Sequence, residues 1–142
     1  MSLLVNATYI SECVIPLERR EPEIAVLLAR ARTANSINQV NGALLFTGTH
    51  FVQTLEGAPN RIDGLLATIV ADPRHRRVQI VDRRTVAMPR FNGWSMAYSG
   101  SSLFVATIVS QATAAIARGG PRDIGRLMRL LEEIGRDNQI RP

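Results

Sequence analysis

The chain has 142 residues, 46% of them hydrophobic and 20% charged, which suits one domain that buries its own core without metals or disulfides. Its single cysteine, Cys13, rules out an internal disulfide and fits a reducing compartment, most simply the cytoplasm, with the thiol read as a small packing residue. The net charge of +5 is carried by arginine alone, with 17 arginines and no lysine, and no apolar run reaches transmembrane length, which argues against a membrane partner.

The apolar N-terminus lacks a basic flank and a small-residue cleavage site, so it reads as a strand rather than a signal peptide. Residues 3–11 alternate, placing Leu3, Val5, Ala7, Tyr9 and Ser11 on one face. Glu21-Pro22-Glu23 opens a helix, because proline and acids are both tolerated in a first turn. Ile24, Leu27, Leu28 and Ala31 form its buried stripe, which Asn35 extends at the far end. Residues 42–47 and 50–57 predict a hairpin around Gly48-Thr49. A second helix follows, with Pro59 near its start, a stripe of Ile62, Leu65, Leu66 and Ile69, and a stop before Asp72-Pro73. Residues 78–86 predict a fourth strand and 91–99 a fifth, with Trp94, Met96 and Tyr98 on one side. The order β-α-β-β-α-β-β predicts an α+β, ferredoxin-like sheet with both helices on one face. Two C-terminal helices, within 103–117 and 122–136, are expected to cover the other face.

Tyr9, Gln53, Trp94 and Met96 project to the helix-covered face by period-two counting, and Asn35 arrives there from the first helix. A phenol and two carboxamides in an apolar layer require hydrogen-bond partners. Two arrangements satisfy them: one another, or a polar heterocycle lodged between the helices. Six arginines crowd between Arg74 and Arg90; apart from Arg74 they read as a solvated strand surface rather than an anion site. The two histidines and one cysteine lack ligand spacing, so no metal site is expected.

Five segments then match one family pattern in order and spacing: Tyr9-Ile10-Ser11, Asn35 seven residues before Gly42, residues 50–57 (HFVQTLEG), Asp72-Pro73-Arg74-His75, and residues 91–96 (FNGWSM). Together they resemble the BLUF family of blue-light sensors, over roughly the first two-thirds of the chain. The resemblance implies a photosensor domain at 1–100, a two-helix extension at 101–142, and a non-enzymatic function. It implies non-covalent FAD, with FMN or riboflavin as alternatives, held between the two helices. Tyr9 is then the light-driven electron and proton donor, and Gln53 the amide bridging it to the flavin. Asn35 holds the pyrimidine edge, Arg74 reaches O2, His75 lies against the ring and Asp72 approaches the ribityl chain. Ile24, Leu28, Phe51, Leu55 and Ile69 form apolar walls, and Trp94 and Met96 relay the signal. A phenol, neutral at pH 7, can give both electron and proton, and a carboxamide can reverse its donor and acceptor ends.

Two positions depart from the pattern. Ala34 stands where a polar residue is frequent and Asn41 where threonine is usual. The first implies one lost polar contact to the flavin, hence looser binding or altered dark recovery. The short chain resembles members whose output is a separate effector, such as a cyclic-di-GMP phosphodiesterase or another regulator, and which assemble as dimers or larger rings. The rival reading is a ferredoxin-like nucleic-acid-binding module. Such sheets expose stacking aromatics, whereas the face carrying His50, Val52, Thr54 and Glu56 has none. A small enzyme on the same fold would need an anion-cradling loop or an acid–base set, and neither is present.

Overall fold

A computed structural model of the protein describes residues 3–89, 97–99, 107–111, 114 and 125–133. Strand β1 spans Leu4–Cys13, so Cys13 is its last residue rather than lying beyond it. A 3-10 turn at Leu17–Arg19 leads into helix α1, Arg20–Asn38. Helix α1 ends where Gln39 turns left-handed at φ 56°, and the Val40 N–H returns to the Asn35 carbonyl at 2.8 Å. Strands β2 (Asn41–Phe46) and β3 (His50–Gly57) form the expected hairpin, with Gly48 at φ 99° in its turn. Helix α2 covers Pro59–Ala71, β4 covers His75–Val86 and β5 covers Ala97–Ser99.

The sheet order is β4-β1-β3-β2-β5. Strand β1 pairs antiparallel with β3 and β4, the hairpin pairs β2 with β3, and β5 joins the free edge of β2 in parallel. The first four strands are therefore the α+β ferredoxin-like arrangement expected from the sequence, with β5 added at one edge. Strand β4 begins three residues earlier than its pattern indicated. It carries two one-residue bulges against β1, near Val81 and near Arg77, where Arg77 takes φ 54°. The first three residues, His75, Arg76 and Arg77, are polar and not β-branched, so they lack the strand composition that marks 78–86.

The sheet is covered on both faces, which is why β1, β2 and β3 are buried almost end to end. On one face Val5, Ala7, Leu44 and Leu55 pack with Ile24 and Leu28 of α1 and Ile62 of α2. On the other, Ile10, Ala43, Leu45 and Val52 pack with Ile108, Leu127, Met128 and Leu131. The last four lie in helical segments 107–111 and 125–133, so the expected cover is present where it is described. Trp94, Met96 and the remaining residues of the two expected C-terminal helices lie outside the described residues. No helix among the described residues is long and apolar enough to cross a membrane.

Candidate functional site

Two inward-facing polar side chains meet because β1 and β3 are in register. Tyr9 and Gln53 are directly opposite one another across the ladder, on the helix-covered face. Both are buried, at 4% and 7% exposure. The Tyr9 Oη donates to Gln53 Oε1 at 2.5 Å, a short hydrogen bond for two neutral groups. Burial, with a smaller contribution from the Asp72 carboxylate, raises the Tyr9 pKa well above the ordinary phenol value, so Tyr9 holds its proton throughout the physiological range. With Oε1 on Tyr9, the Gln53 amide accepts at that end and donates at Nε2.

Around this pair lies a cleft of about 230 Å³, open between α1 and α2 above the sheet. Its floor includes Leu44 and Phe51, and its walls are Leu27, Ala31 and Ala34 from α1 and Leu65 and Ile69 from α2. Among the described residues, its polar lining is Tyr9, Gln53 and buried Asn35 inside, and Arg30, Thr68, Asp72, Arg74 and His75 around them. Asp72 caps the turn after α2 by accepting from the Arg74 backbone N–H at 2.9 Å and from the Arg74 guanidinium at both carboxylate oxygens. That hydrogen bond from Arg74 outweighs partial burial and holds the Asp72 carboxyl below the usual carboxylate range. His75 bridges two elements: Nε2 lies 2.6 Å from the Ile69 carbonyl and Nδ1 lies 2.7 Å from the Ser11 hydroxyl. A carbonyl only accepts, so Nε2 carries a proton. The ring stands edge-on to Tyr9 and Phe51, with centroids 6.0 and 6.3 Å away.

A flat, largely apolar heterocycle with a polar edge fits this donor and acceptor set. The apolar walls take its faces, while the Tyr9 phenol and the Gln53 and Asn35 carboxamides offer donors and acceptors to its polar edge. The model of a family described as sensors of blue-light using FAD matches residues 4–97. This chain belongs to the BLUF family. Residues 4–97 are therefore a flavin-binding, blue-light-sensing domain.

Solved BLUF structures carry the same fold. The dark-state structure of the BLUF protein BlrB is 30% identical, with a TM-score of 0.79 over 94% of this chain and 98% of that one. BlrP1 of Klebsiella pneumoniae, solved with FMN and cyclic diGMP, is 32% identical with a TM-score of 0.63, over 68% of this chain and 26% of that chain. Among curated proteins, photoactivated adenylate cyclase subunit beta of Euglena longa is 35% identical over 80 residues, 56% of this chain. The match spans only 9% of that cyclase's length. The blue light- and temperature-regulated antirepressor BluF of Escherichia coli (strain K12) is 36% identical over 56 residues, 39% of this chain and 14% of the antirepressor.

Most of the residues singled out in the sequence converge on the cleft: Tyr9, Asn35, Phe51, Gln53, Ile69, Asp72, Arg74 and His75 all line it. Ile24, Leu28 and Leu55 do not. They are buried in the apolar layer beneath, where they support the walls without forming them. The reason is the width of the α1 stripe. Ile24 and Leu28 point down to the sheet, while Leu27, Ala31 and Ala34 form a parallel row one position over that faces the cleft, which buried Asn35 also lines at the helix end. Counting helical period finds the stripe but not which edge is wet. Leu44 and Leu65 were also passed over as site residues, since a cleft wall and a core position share one pattern, and so were Arg30 and Thr68, which read as solvent-facing helix residues.

Proposed function

We propose that Tyr9 and Gln53 form the light-responsive pair of this BLUF domain, that the flavin held beside them is FAD, and that the domain signals to a separate effector protein. The observation that carries this is the 2.5 Å contact between the Tyr9 hydroxyl and the Gln53 amide oxygen inside the cleft. When bound, the flavin supplies the blue absorption and an excited state that takes up an electron. The chain's own residues do the rest. Tyr9 keeps a proton at Oη and directs it at Gln53. Gln53 is a two-state element: reversed, it turns Nε2 toward Tyr9, so the phenol oxygen must accept and every neighbour meets the opposite polarity.

Asn35 supplies a buried carboxamide for the pyrimidine edge, and Arg74, steadied by Asp72, supplies a fixed cation for a carbonyl of that edge. With both ring nitrogens engaged by Ser11 and Ile69, His75 offers the flavin its ring face and edge rather than a new hydrogen bond. Trp94 and Met96 are assigned the relay from Gln53 along the last strand. Residues 1–100 are taken as the photosensor and 101–142 as an extension that packs on the sheet and carries the output. The effector is taken to be a regulator such as a cyclic-di-GMP phosphodiesterase, controlled in the cytoplasm by a homo-oligomer of this chain; BlrP1, a relative solved with cyclic diGMP, gives that choice its direction.

Two observations weigh against the nucleic-acid reading. Val52, Thr54 and Glu56 lie under the C-terminal segments instead of facing solvent. Arg74, Arg76, Arg77, Arg83 and Arg84 each pair with a carboxylate, leaving little unbalanced charge on that surface. The test is optical. The purified protein should be yellow, release FAD on denaturation, shift its absorption slightly to the red under blue light and recover in darkness. Colourless protein that co-purifies with nucleic acid would overturn the proposal.

A further inference from the structure

The sheet face turned away from the cleft carries an unexpected polar layer. Amid the apolar seam that receives segment 125–133, Asn6, Thr8 and Thr54 have 0% exposure and Glu56 has 1%. They occupy two same-face rungs of the β1–β3 ladder, Asn6 opposite Glu56 and Thr8 opposite Thr54. Burying four such side chains is costly unless they bond to one another, and they do so in one direction. The Thr8 hydroxyl donates to Thr54 Oγ1 at 3.0 Å, Thr54 donates to Asn6 Oδ1 at 3.3 Å, and Asn6 Nδ2 donates to Glu56 Oε2 at 3.4 Å.

Thr8 heads this chain, and its hydroxyl has a second acceptor. Met128 Sδ, from segment 125–133, lies 3.4 Å from the same oxygen. One hydroxyl proton serves one acceptor at a time. The Thr8–Thr54 rung is also the one next to Tyr9–Gln53, with side chains on the opposite face. The spacing and twist of the two strands at one rung therefore constrain the next.

We propose that Thr8 is a positioning residue that couples the Tyr9–Gln53 pair through the sheet to the docking of segment 125–133, its hydroxyl dividing between Thr54 and Met128. With the proton on Thr54, the two strands are tied beneath the pair. With the proton on Met128, the tie is transferred to the helical segment. A rearranged Gln53 biases this choice, and by linkage the docked segment biases Gln53 by the same factor. The route runs from β1 straight to the C-terminal segment and does not require the last strand. Its light-dependent half rests on the proposed Tyr9–Gln53 photochemistry; its dark half does not.

The test uses the full-length, flavin-loaded protein with Thr8→Val, which deletes the donor but leaves Thr54 bonded to Asn6, with Thr8→Ser as the rescue. Thr8→Val should keep the yellow colour, change the dark-recovery rate on the order of threefold, as expected for one modest hydrogen bond, and erase any light–dark difference in hydrogen exchange across residues 125–133. Thr8→Ser should restore both. Met128→Leu, which keeps volume and removes the sulfur, provides a readout without light: the NMR resonances of the Gln53 side-chain amide should move in the dark protein although Met128 lies across the sheet from it. The proposal is overturned if Thr8→Val lowers only the melting temperature while recovery and exchange match the wild type, or if the Gln53 amide resonances stay in place in Met128→Leu. A wild type without a photocycle would sink the photochemical reading instead, and the Met128→Leu measurement would still decide the coupling.

Discussion

Tyr9 is a phenol that folding has made hard to ionise. Burial is the main cause and the Asp72 carboxylate adds to it. The linkage has a definite sign. The folded state holds the phenolic proton more tightly than the unfolded state, so the stabilisation from neutral Tyr9 is complete below about pH 10, the unfolded phenol value, and is lost as pH climbs beyond it. Stability measured by denaturant titration between pH 8 and about pH 11 should therefore fall at the alkaline end, and Tyr9→Phe should flatten that fall. An unchanged alkaline slope in Tyr9→Phe would mean that Tyr9 is not the buried phenol responsible. At this scale the sequence was highly legible for Tyr9 and Gln53, because strand alternation fixes the side each faces. It was less so for His75. A turn histidine's pattern does not disclose that Ser11 and the Ile69 carbonyl take both its nitrogens.

Between the residue and the fold, the hairpin is the element that places Gln53. Gly42 on β2 sits so close to β3 that a Cβ there would lie 2.1 Å from the Thr54 carbonyl oxygen. Thr54 is the immediate neighbour of Gln53, so the space left by this glycine bears on the Tyr9–Gln53 pair. Gly42→Ala should destabilise the domain by about 1–3 kcal/mol and, by pushing β3 aside, displace the dark-state flavin absorption. A variant with unchanged stability and spectrum would show that β2 and β3 tolerate separation here. The apolar run of β2, the alternation of β3 and the Gly48-Thr49 turn between them were sufficient to place this hairpin from sequence. Strand β4 was not fully legible, because its first three residues are polar and not β-branched and read as part of a turn motif. Helix α1 hid the cleft for a related reason: one apolar stripe serves both the sheet through Ile24 and Leu28 and the cleft through Leu27, Ala31 and Ala34.

The whole molecule is a sheet between two unlike layers. One side opens into a cleft; the other is sealed by segments 107–111 and 125–133. The sealing contacts are core-like, with Leu127 and Leu131 fully buried. Leu131→Ala should cost about 2–5 kcal/mol in chemical unfolding, as for a buried core leucine, and a cost below about 1 kcal/mol would mean that the segment is only loosely attached. The amphipathic pattern of this segment, and a sheet with both long helices on its other face, made their pairing readable in advance. The polar layer between them was not, since Thr8 and Thr54 look like solvent-facing strand residues until something covers them. The central claim concerns the other layer, where the Tyr9 hydroxyl and the Gln53 amide meet beside the flavin. It is tested most directly by the light-minus-dark absorption spectrum of Tyr9→Phe loaded with flavin. The account predicts a yellow protein whose flavin band no longer moves to the red under blue light, whereas a normal red shift with normal dark recovery would contradict it.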